Sequence, residues 1–175
     1  MNTATRRHID SLASEILTTI GEAVPIECMD NVVERLGGRV EYRDFLGFSN
    51  DGELVRDEIG NGFTINVPSW QSPERRKFTI AHELGHLFLH MGYLLDNDLW
   101  EKTRRDRYYR RGHSDAEQEA NEFAAAFLMP QEEYESIVEM NSNGNTVDIL
   151  KVAQYFMVSV DAATYRGKWL GVLNW

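Results

Sequence analysis

The feature that most restricts the fold of this chain is a helix-forming segment with two histidines four residues apart, His82-Glu83-Leu84-Gly85-His86. The start Ser72-Pro73-Glu74 offers an N-cap, a proline at the first helical position and an acidic first turn, so we predict a helix from there to about Met91. Four residues of helix amount to about 6 Å of rise and about 40° beyond a full turn. Both imidazoles can therefore reach one ion, and neutral imidazole nitrogen binds zinc at about 2.0–2.1 Å.

Glu83 follows His82 directly and lies beside the histidine pair, where its carboxylate can hold a metal-bound water. Zinc lowers the pKa of such a water towards neutrality, and the carboxylate can take its proton and later pass it to a leaving amine. The alternative is a pair of ordinary surface histidines next to a solvated glutamate. We favour the metal site because the segment has an apolar side that suits burial, which consists of Phe78, Ala81, Leu84, Gly85 and Phe88.

Two further residues of this helix call for an explanation. Gly85 costs roughly 1 kcal/mol in a helix interior relative to alanine, so we expect another backbone to approach it closely near the metal. His90 continues the four-residue spacing and is a candidate third ligand. Its position near the helix end favours a capping or surface role instead.

A catalytic zinc site has three protein ligands and one open position. Because the only cysteine is Cys28, which we expect to be a small core residue, the third ligand should be His, Glu or Asp. The candidates lie on or just before a helix predicted over 114–129 and are His113, Glu117, Glu119 and Glu122. Spacing alone leaves Glu117 balanced against Glu119 and His113 together, because Ser114-x-x-Glu117 is also a capping box in which the glutamate bonds the N-cap backbone.

Two stretches of the chain resemble the ImmA/IrrE metallopeptidases. They are Phe78-Thr79-Ile80-Ala81-His82-Glu83-Leu84-Gly85-His86 and Glu117-Gln118-Glu119-Ala120-Asn121-Glu122-Phe123-Ala124-Ala125-Ala126-Phe127-Leu128-Met129-Pro130. A weaker similarity extends to Val158-Ser159-x-x-Ala162-x-x-x-Arg166, so the resemblance covers about 75 to 167. It implies a compact thermolysin-like zincin in which Glu117 is the third ligand and Asn121 orients a ligand histidine by hydrogen bonding. The segment 92–112 is longer than in simpler members.

The rest of the chain predicts one compact α+β metallopeptidase domain over 1–175. Residues 1–71 should form a helix near 4–20, a second helix that begins at Pro25, and a small antiparallel or mixed sheet. We expect this sheet to pack on the helix that carries the His82–His86 (HExxH) motif. Residues 72–130 should form the metal-binding helices. Residues 131–175 should form a C-terminal helical cover with two short helices divided near Ser159.

Peptide hydrolysis also needs a donor for the oxyanion that develops at the attacked carbonyl. The chemically suitable candidates are Tyr108, Tyr109, His113 and Tyr165. Nothing in the sequence chooses among them.

The charge and composition of the chain argue against some classes of binding partner. The net charge of −10 argues against generic nucleic-acid binding, although the stretch 104–111 is a dense Arg/Tyr patch that we interpret as a solvated strand or loop. Residues 147–166 look like a helix-turn-helix, but the second helix carries Asp161 and few basic groups, which argues against DNA recognition. There is no apolar run long enough to span a membrane and no signal-peptide pattern. With a single cysteine, these features predict a cytoplasmic protein without membrane contact.

Together these observations predict a zinc-dependent endopeptidase of narrow specificity. His82, His86 and Glu117 would hold one zinc ion, with Glu83 as general base and acid, although manganese or iron could occupy the same ligand set. The resemblance suggests repressor-like or antitoxin-like protein substrates. Two alternatives stay open: a non-catalytic partner-binding module whose zinc shell is closed by a fourth side chain such as His113 or His90, and a toxin-like or DNA-associated regulator.

Overall fold

The computed structural model describes residues 1–44, 52–57, 60–105 and 114–174. Within these residues the chain folds as an α+β domain, as predicted. Its elements in chain order are α1 (Thr3–Ile20), α2 (Met29–Arg35), β1 (Gly38–Arg43), β2 (Glu53–Arg56), β3 (Phe63–Pro68), α3 (Pro73–Leu89), α4 (Asn97–Arg105), α5 (Ser114–Leu128), α6 (Gln131–Met140), β4 (Ser142–Asn143), β5 (Thr146–Val147), α7 (Ile149–Phe156) and α8 (Val160–Leu170).

The three longer strands form a mixed sheet in the order β1-β3-β2. Central β3 runs parallel to β1, where Val40 is the partner of Ile65, and antiparallel to β2, where Leu54 is the partner of the same residue. All six residues of β3 are buried. Helix α3 packs on β2 and β3, so the sheet supports the helix that carries the histidine pair.

The N-terminal helices fold as predicted except at one boundary. Helix α1 begins after Asn2, whose side chain accepts a hydrogen bond from Thr5 N. The prediction that the second helix begins at Pro25 is wrong, because α2 begins at Met29. The carbonyl of buried Ile26 accepts a hydrogen bond from the ammonium of Lys77 at 2.6 Å, so this backbone is engaged with α3.

Cys28 is the residue before α2, and it is exposed. The expectation that it is a small core residue is therefore wrong. The chain between Ile26 and α2 runs over the surface of the domain, with residues 27 and 28 both exposed.

Helices α3 and α5 approach each other closely at Gly85. A Cβ atom at Gly85 would lie 2.9 Å from Ala120 Cα and 3.2 Å from Phe123 Cβ. The predicted close approach of a second backbone at Gly85 is thereby confirmed. Small side chains on α5 permit it, since Ala120 and Ala124 are fully buried. This contact sets the first turns of α5 beside the second half of α3.

The C-terminal helices pack into the core through a buried arginine. Arg166 on α8 is fully buried, donates to the carbonyl of Met129 at 2.9 Å and pairs with Asp10 of α1. Ser159 caps α8 by accepting from Ala162 N, and it divides α7 from α8 as predicted. Among the described residues, each helix is too short or too polar to cross a membrane.

The polar stretch after α3 is partly helical. Trp100 on α4 is 4% exposed and packs edge-on against Tyr93, with ring centroids 4.9 Å apart. The guanidinium of Arg56 lies over the Trp100 ring at 3.9 Å from its centroid, which joins α4 to the edge strand β2. The prediction of a strand or loop over 104–111 is wrong at its start, because α4 extends to Arg105. Residues 106–111 lie outside the described residues.

Candidate metal centre

Three side chains from α3 and α5 converge on one point. The Nε2 atoms of His82 and His86 are 3.1 Å apart. The two carboxylate oxygens of Glu117 lie 3.2 Å from Nε2 of His82 and 3.3 Å from Nε2 of His86. The histidines meet because they are one helical turn apart. Glu117 reaches them because the close contact at Gly85 brings the start of α5 to the same side of α3.

The spacing of these donor atoms fits a metal ion. In a tetrahedral zinc site with bonds of about 2.0–2.1 Å, neighbouring donor atoms are about 3.3 Å apart. The two histidine nitrogens are 3.1 Å apart, and each lies 3.2 or 3.3 Å from one of the two oxygens of Glu117, so the donor atoms are spaced as neighbouring ligands of one ion are. The group of His82, His86 and Glu117 could therefore bind one divalent ion.

The carboxylate of Glu117 points to the two histidines. Its side chain is 45% exposed, whereas those of His82 and His86 are 12% and 5% exposed. The site thus opens to solvent on the Glu117 side.

Asn121 contacts the other ring nitrogen of His82. Its Oδ1 lies 3.0 Å from Nδ1 of His82. An amide oxygen only accepts hydrogen bonds, so Nδ1 of His82 carries the proton. A neutral imidazole then has its lone pair on Nε2, which faces the group of three donors. This is the arrangement that a metal ligand requires.

His90 and Glu119 lie next to the group but do not belong to it. Nδ1 of His90 is 2.9 Å from Nδ1 of His86, which is the ring nitrogen opposite to the one that faces Glu117. Nε2 of His90 is 3.2 Å from Oε2 of Glu119. Both residues were candidate ligands from their position in the sequence, which does not reveal that they contact each other.

Glu83 is fully buried beside the histidine pair. Gly52, the residue just before the edge strand β2, lies directly against it. A Cβ atom at Gly52 would lie 3.0 Å from Oε1 of Glu83 and 2.7 Å from Cγ2 of Thr79. Only glycine fits at this point, so the chain just before β2 forms part of the wall around the Glu83 carboxylate.

Of the predicted oxyanion donors, one lies in the described part of the chain. Tyr165 is on α8, and its hydroxyl accepts a hydrogen bond from Arg6 Nη2 at 3.5 Å. Tyr108, Tyr109 and His113 lie outside the described residues. The role of all four stays a prediction.

Two buried charged residues anchor the helices that carry the site. Lys77 on α3 donates to the carbonyls of Ile26 and Phe156, at 2.6 and 2.7 Å, and burial lowers the pKa of its ammonium to about 8. Glu122 on α5 is 1% exposed, and burial raises the pKa of its carboxyl against the opposing effect of Arg6 and Arg166. These contacts join α3 to α7, and α5 to α1 and α8.

Comparison with known proteins agrees with this architecture. Residues 33–168 match the family described as Peptidase_M78, IrrE N-terminal-like domain. Among solved structures, a Mycobacterium tuberculosis transcriptional regulator matches with 21% sequence identity and a TM-score of 0.60, over 91% of this chain and 46% of that chain. This likeness shows the fold, and the chain spans about half the length of that regulator. A search of curated proteins gives no match. Because the family match covers most of its length, the chain belongs to the Peptidase_M78 family and carries a metallopeptidase-like, IrrE N-terminal-like domain.

Proposed function

We propose that this protein is a zinc-dependent endopeptidase that hydrolyses a specific protein partner. The observation that carries the proposal is that two imidazole nitrogens lie 3.1 Å apart and 3.2–3.3 Å from the oxygens of one carboxylate. The buried Glu83 follows His82 directly in the same helix. In the proposed site His82, His86 and Glu117 hold the ion. Zinc bound there would lower the pKa of a water molecule towards neutrality and polarise the carbonyl of the scissile peptide.

In this proposal Glu83 moves the proton. Its carboxylate accepts a proton from the attacking water and delivers it to the nitrogen of the leaving amine. Gly52, the residue just before β2, limits the space around Oε1, and the buried position of Glu83 keeps bulk water away from it. In such a low-dielectric setting, the charge of the carboxylate acts more strongly than it would in water.

The edge of the sheet offers a place for the substrate backbone. Within the described residues β2 has one neighbouring strand, β3, so its other edge faces away from the sheet. An extended peptide can add to such an edge through main-chain hydrogen bonds. Because β2 starts at Glu53, directly after the residue that covers Glu83, a peptide on this edge would pass close to the proposed site. This geometry supports cleavage within a chain.

We propose a repressor-like or antitoxin-like protein as substrate because of the resemblance to the ImmA/IrrE metallopeptidases. Zinc suits the two-imidazole, one-carboxylate donor set, which manganese or iron could also occupy. Because Cys28 is the only cysteine, no internal disulfide can form, and we propose a cytoplasmic location.

The proposal is tested by Glu83→Gln, with Glu139→Gln as a control on the exposed surface of α6. The Glu83→Gln protein should bind one zinc ion and capture the partner, but leave it intact, because the amide cannot accept the proton. The wild-type and control proteins should cut the captured partner at a defined bond, identified by mass spectrometry. Cleavage by Glu83→Gln at the wild-type rate would contradict the proposed mechanism.

A second candidate is a non-catalytic module in which zinc only stabilises the fold, and it requires a fourth protein ligand. His90 is within reach of the site, but its ring contacts His86 Nδ1 and Glu119 instead. His113 lies outside the described residues. Zinc X-ray absorption on the wild-type protein separates the candidates: three protein ligands plus water support the peptidase, and four protein ligands support the module.

A further inference from the structure

A chain of three side chains leads away from the proposed metal site on the side of His86. Nδ1 of His86 lies 2.9 Å from Nδ1 of His90, and Nε2 of His90 lies 3.2 Å from Oε2 of Glu119. The His90 side chain is 11% exposed and that of Glu119 is 32% exposed. The chain of contacts thus runs from the buried ligand to the surface of α5.

The hydrogen-bonding capacity of each group determines the direction of these contacts. A carboxylate only accepts, so Nε2 of His90 donates to Glu119. A neutral His90 ring then has its lone pair on Nδ1 and must accept from His86, whose Nδ1 therefore carries a proton. The lone pair of His86 is left on Nε2, which faces His82 and Glu117. In this series of three side chains, every donor meets one acceptor.

We propose that His90 and Glu119 are positioning residues that hold His86 in the tautomer and orientation needed to bind the metal. This inference rests on the metal site of the proposed function. It gives His90 a role that is neither metal ligand nor helix cap. It also makes His86 dependent on a carboxylate that lies on a different helix.

The two candidate histidine ligands are then supported in parallel from α5. Asn121 holds Nδ1 of His82 directly, and Glu119 holds Nδ1 of His86 through His90. Glu117 on the same helix supplies the third donor. Three residues within five positions of α5 thus contact the metal or orient its ligands, and the docking of α5 on α3 at Gly85 assembles them together.

The test measures the zinc affinity of the full chain by competition with a chromophoric chelator at one fixed pH. His90→Leu should weaken zinc binding by about 10–100-fold, because partners that orient a ligand histidine contribute that much. Glu119→Ala should also weaken it, and Glu119→Gln should weaken it less because the amide oxygen still accepts from His90. Adding Glu119→Ala to His90→Leu should cause no further loss. His8→Leu and Glu139→Ala, both at exposed helix positions, should match wild type.

A second readout separates positioning of His86 from a general loss of packing. In nitrogen-resolved NMR of the zinc-loaded protein, the Nδ1 proton of His86 should exchange slowly with solvent in the wild type and faster in His90→Leu and Glu119→Ala. Should His90→Leu fail to fold by circular dichroism, the Glu119 variants carry the test, because that side chain lies near the surface.

Each outcome has one meaning. Weaker zinc binding in His90→Leu and Glu119→Ala, with faster exchange at His86, supports the inference. If both variants bind zinc like the controls, the inference is overturned and the proposed peptidase function stands. If the wild-type protein binds no metal, the proposed function fails and the inference fails with it.

Discussion

Oδ1 of Asn121 lies 3.0 Å from Nδ1 of His82, across the interface between α5 and α3. This hydrogen bond fixes which nitrogen of His82 carries the proton, and so leaves Nε2 as the donor that faces His86 and Glu117. The tautomer of one candidate ligand therefore depends on a single amide on the neighbouring helix.

We expect Asn121→Ala to weaken zinc binding by about 10–100-fold, because the ring of His82 loses the partner that orients it. Asn121→Asp keeps an oxygen acceptor at this point and should retain more of the affinity. The dissociation constants can be measured by chelator competition. Since Asn121 is exposed, the unfolding free energy of the metal-free protein should change little. Equal zinc affinity in Asn121→Ala and wild type would show that this hydrogen bond does not orient a ligand.

The choice of third ligand can be decided by comparing two glutamates on α5. Glu117→Ala should abolish stoichiometric zinc binding, because its carboxylate is 3.2 and 3.3 Å from the two histidine nitrogens. Glu119→Ala should retain the ion with reduced affinity. Metal content after dialysis, measured by mass spectrometry, distinguishes them. Retention of zinc by Glu117→Ala together with its loss from Glu119→Ala would assign the ligand role to Glu119.

The parts of the site that depend on local chain geometry were predictable from the sequence. The spacing of His82 and His86 is a property of any helix, and the start of α3 at Ser72-Pro73 follows from capping chemistry. The approach of a second backbone at Gly85 was also predictable, since glycine is unfavourable in a helix unless packing requires it.

The parts that depend on distant segments were not predictable. The contact of His90 with Glu119 joins residues 29 positions apart, and its geometry exists only when α5 packs on α3. The position of Gly52 over Glu83 likewise depends on how β2 lies on the sheet. The second helix begins at Met29 and not at Pro25, where the local sequence predicts it. The carbonyl of Ile26 in this segment accepts a hydrogen bond from Lys77, and this tertiary contact outweighs the local helix preference.

Metal binding should stabilise the folded chain. A ligand that binds only the folded state adds about 2.7 kcal/mol to the unfolding free energy at 100 times its dissociation constant. For a protein of this size, each additional kcal/mol of unfolding free energy raises Tm by about 2–4 °C. Zinc should therefore raise the Tm of the wild-type protein by several degrees, and a chelator should reverse the increase. Glu117→Ala should show no such increase, and a comparable zinc-dependent shift in that variant would place the ion elsewhere.

Substitution of Gly85 should destabilise the protein even though alanine favours helices. A Cβ atom there would meet Ala120 Cα at 2.9 Å and Ala120 O at 3.0 Å, both of which are backbone atoms that cannot rotate away. Overpacking of this kind costs about 1–3 kcal/mol, which exceeds the helix-propensity gain of about 1 kcal/mol. Urea unfolding of Gly85→Ala, with Glu139→Ala on exposed α6 as the control, measures the balance. A net gain in stability would mean that the two helices can separate without loss.

The buried ammonium of Lys77 should make stability depend on pH in the alkaline range. Its pKa is lowered to about 8 in the folded protein by burial, from an ordinary value of 10.5 in the unfolded chain. Between these values the unfolded state binds more protons, so the contribution of Lys77 to the unfolding free energy rises as pH increases from 8 towards 10.5. Because neutral amine still donates to Ile26 and Phe156, folding is not lost on deprotonation.

Lys77→Met removes the titrating group and keeps the apolar stem, so the wild-type protein should gain stability relative to this variant across that window, by up to about 3 kcal/mol. The unfolding free energies of both proteins are measured by urea unfolding at several pH values. If they change in parallel with pH, the ammonium keeps its ordinary pKa, because the two carbonyls offset the effect of burial.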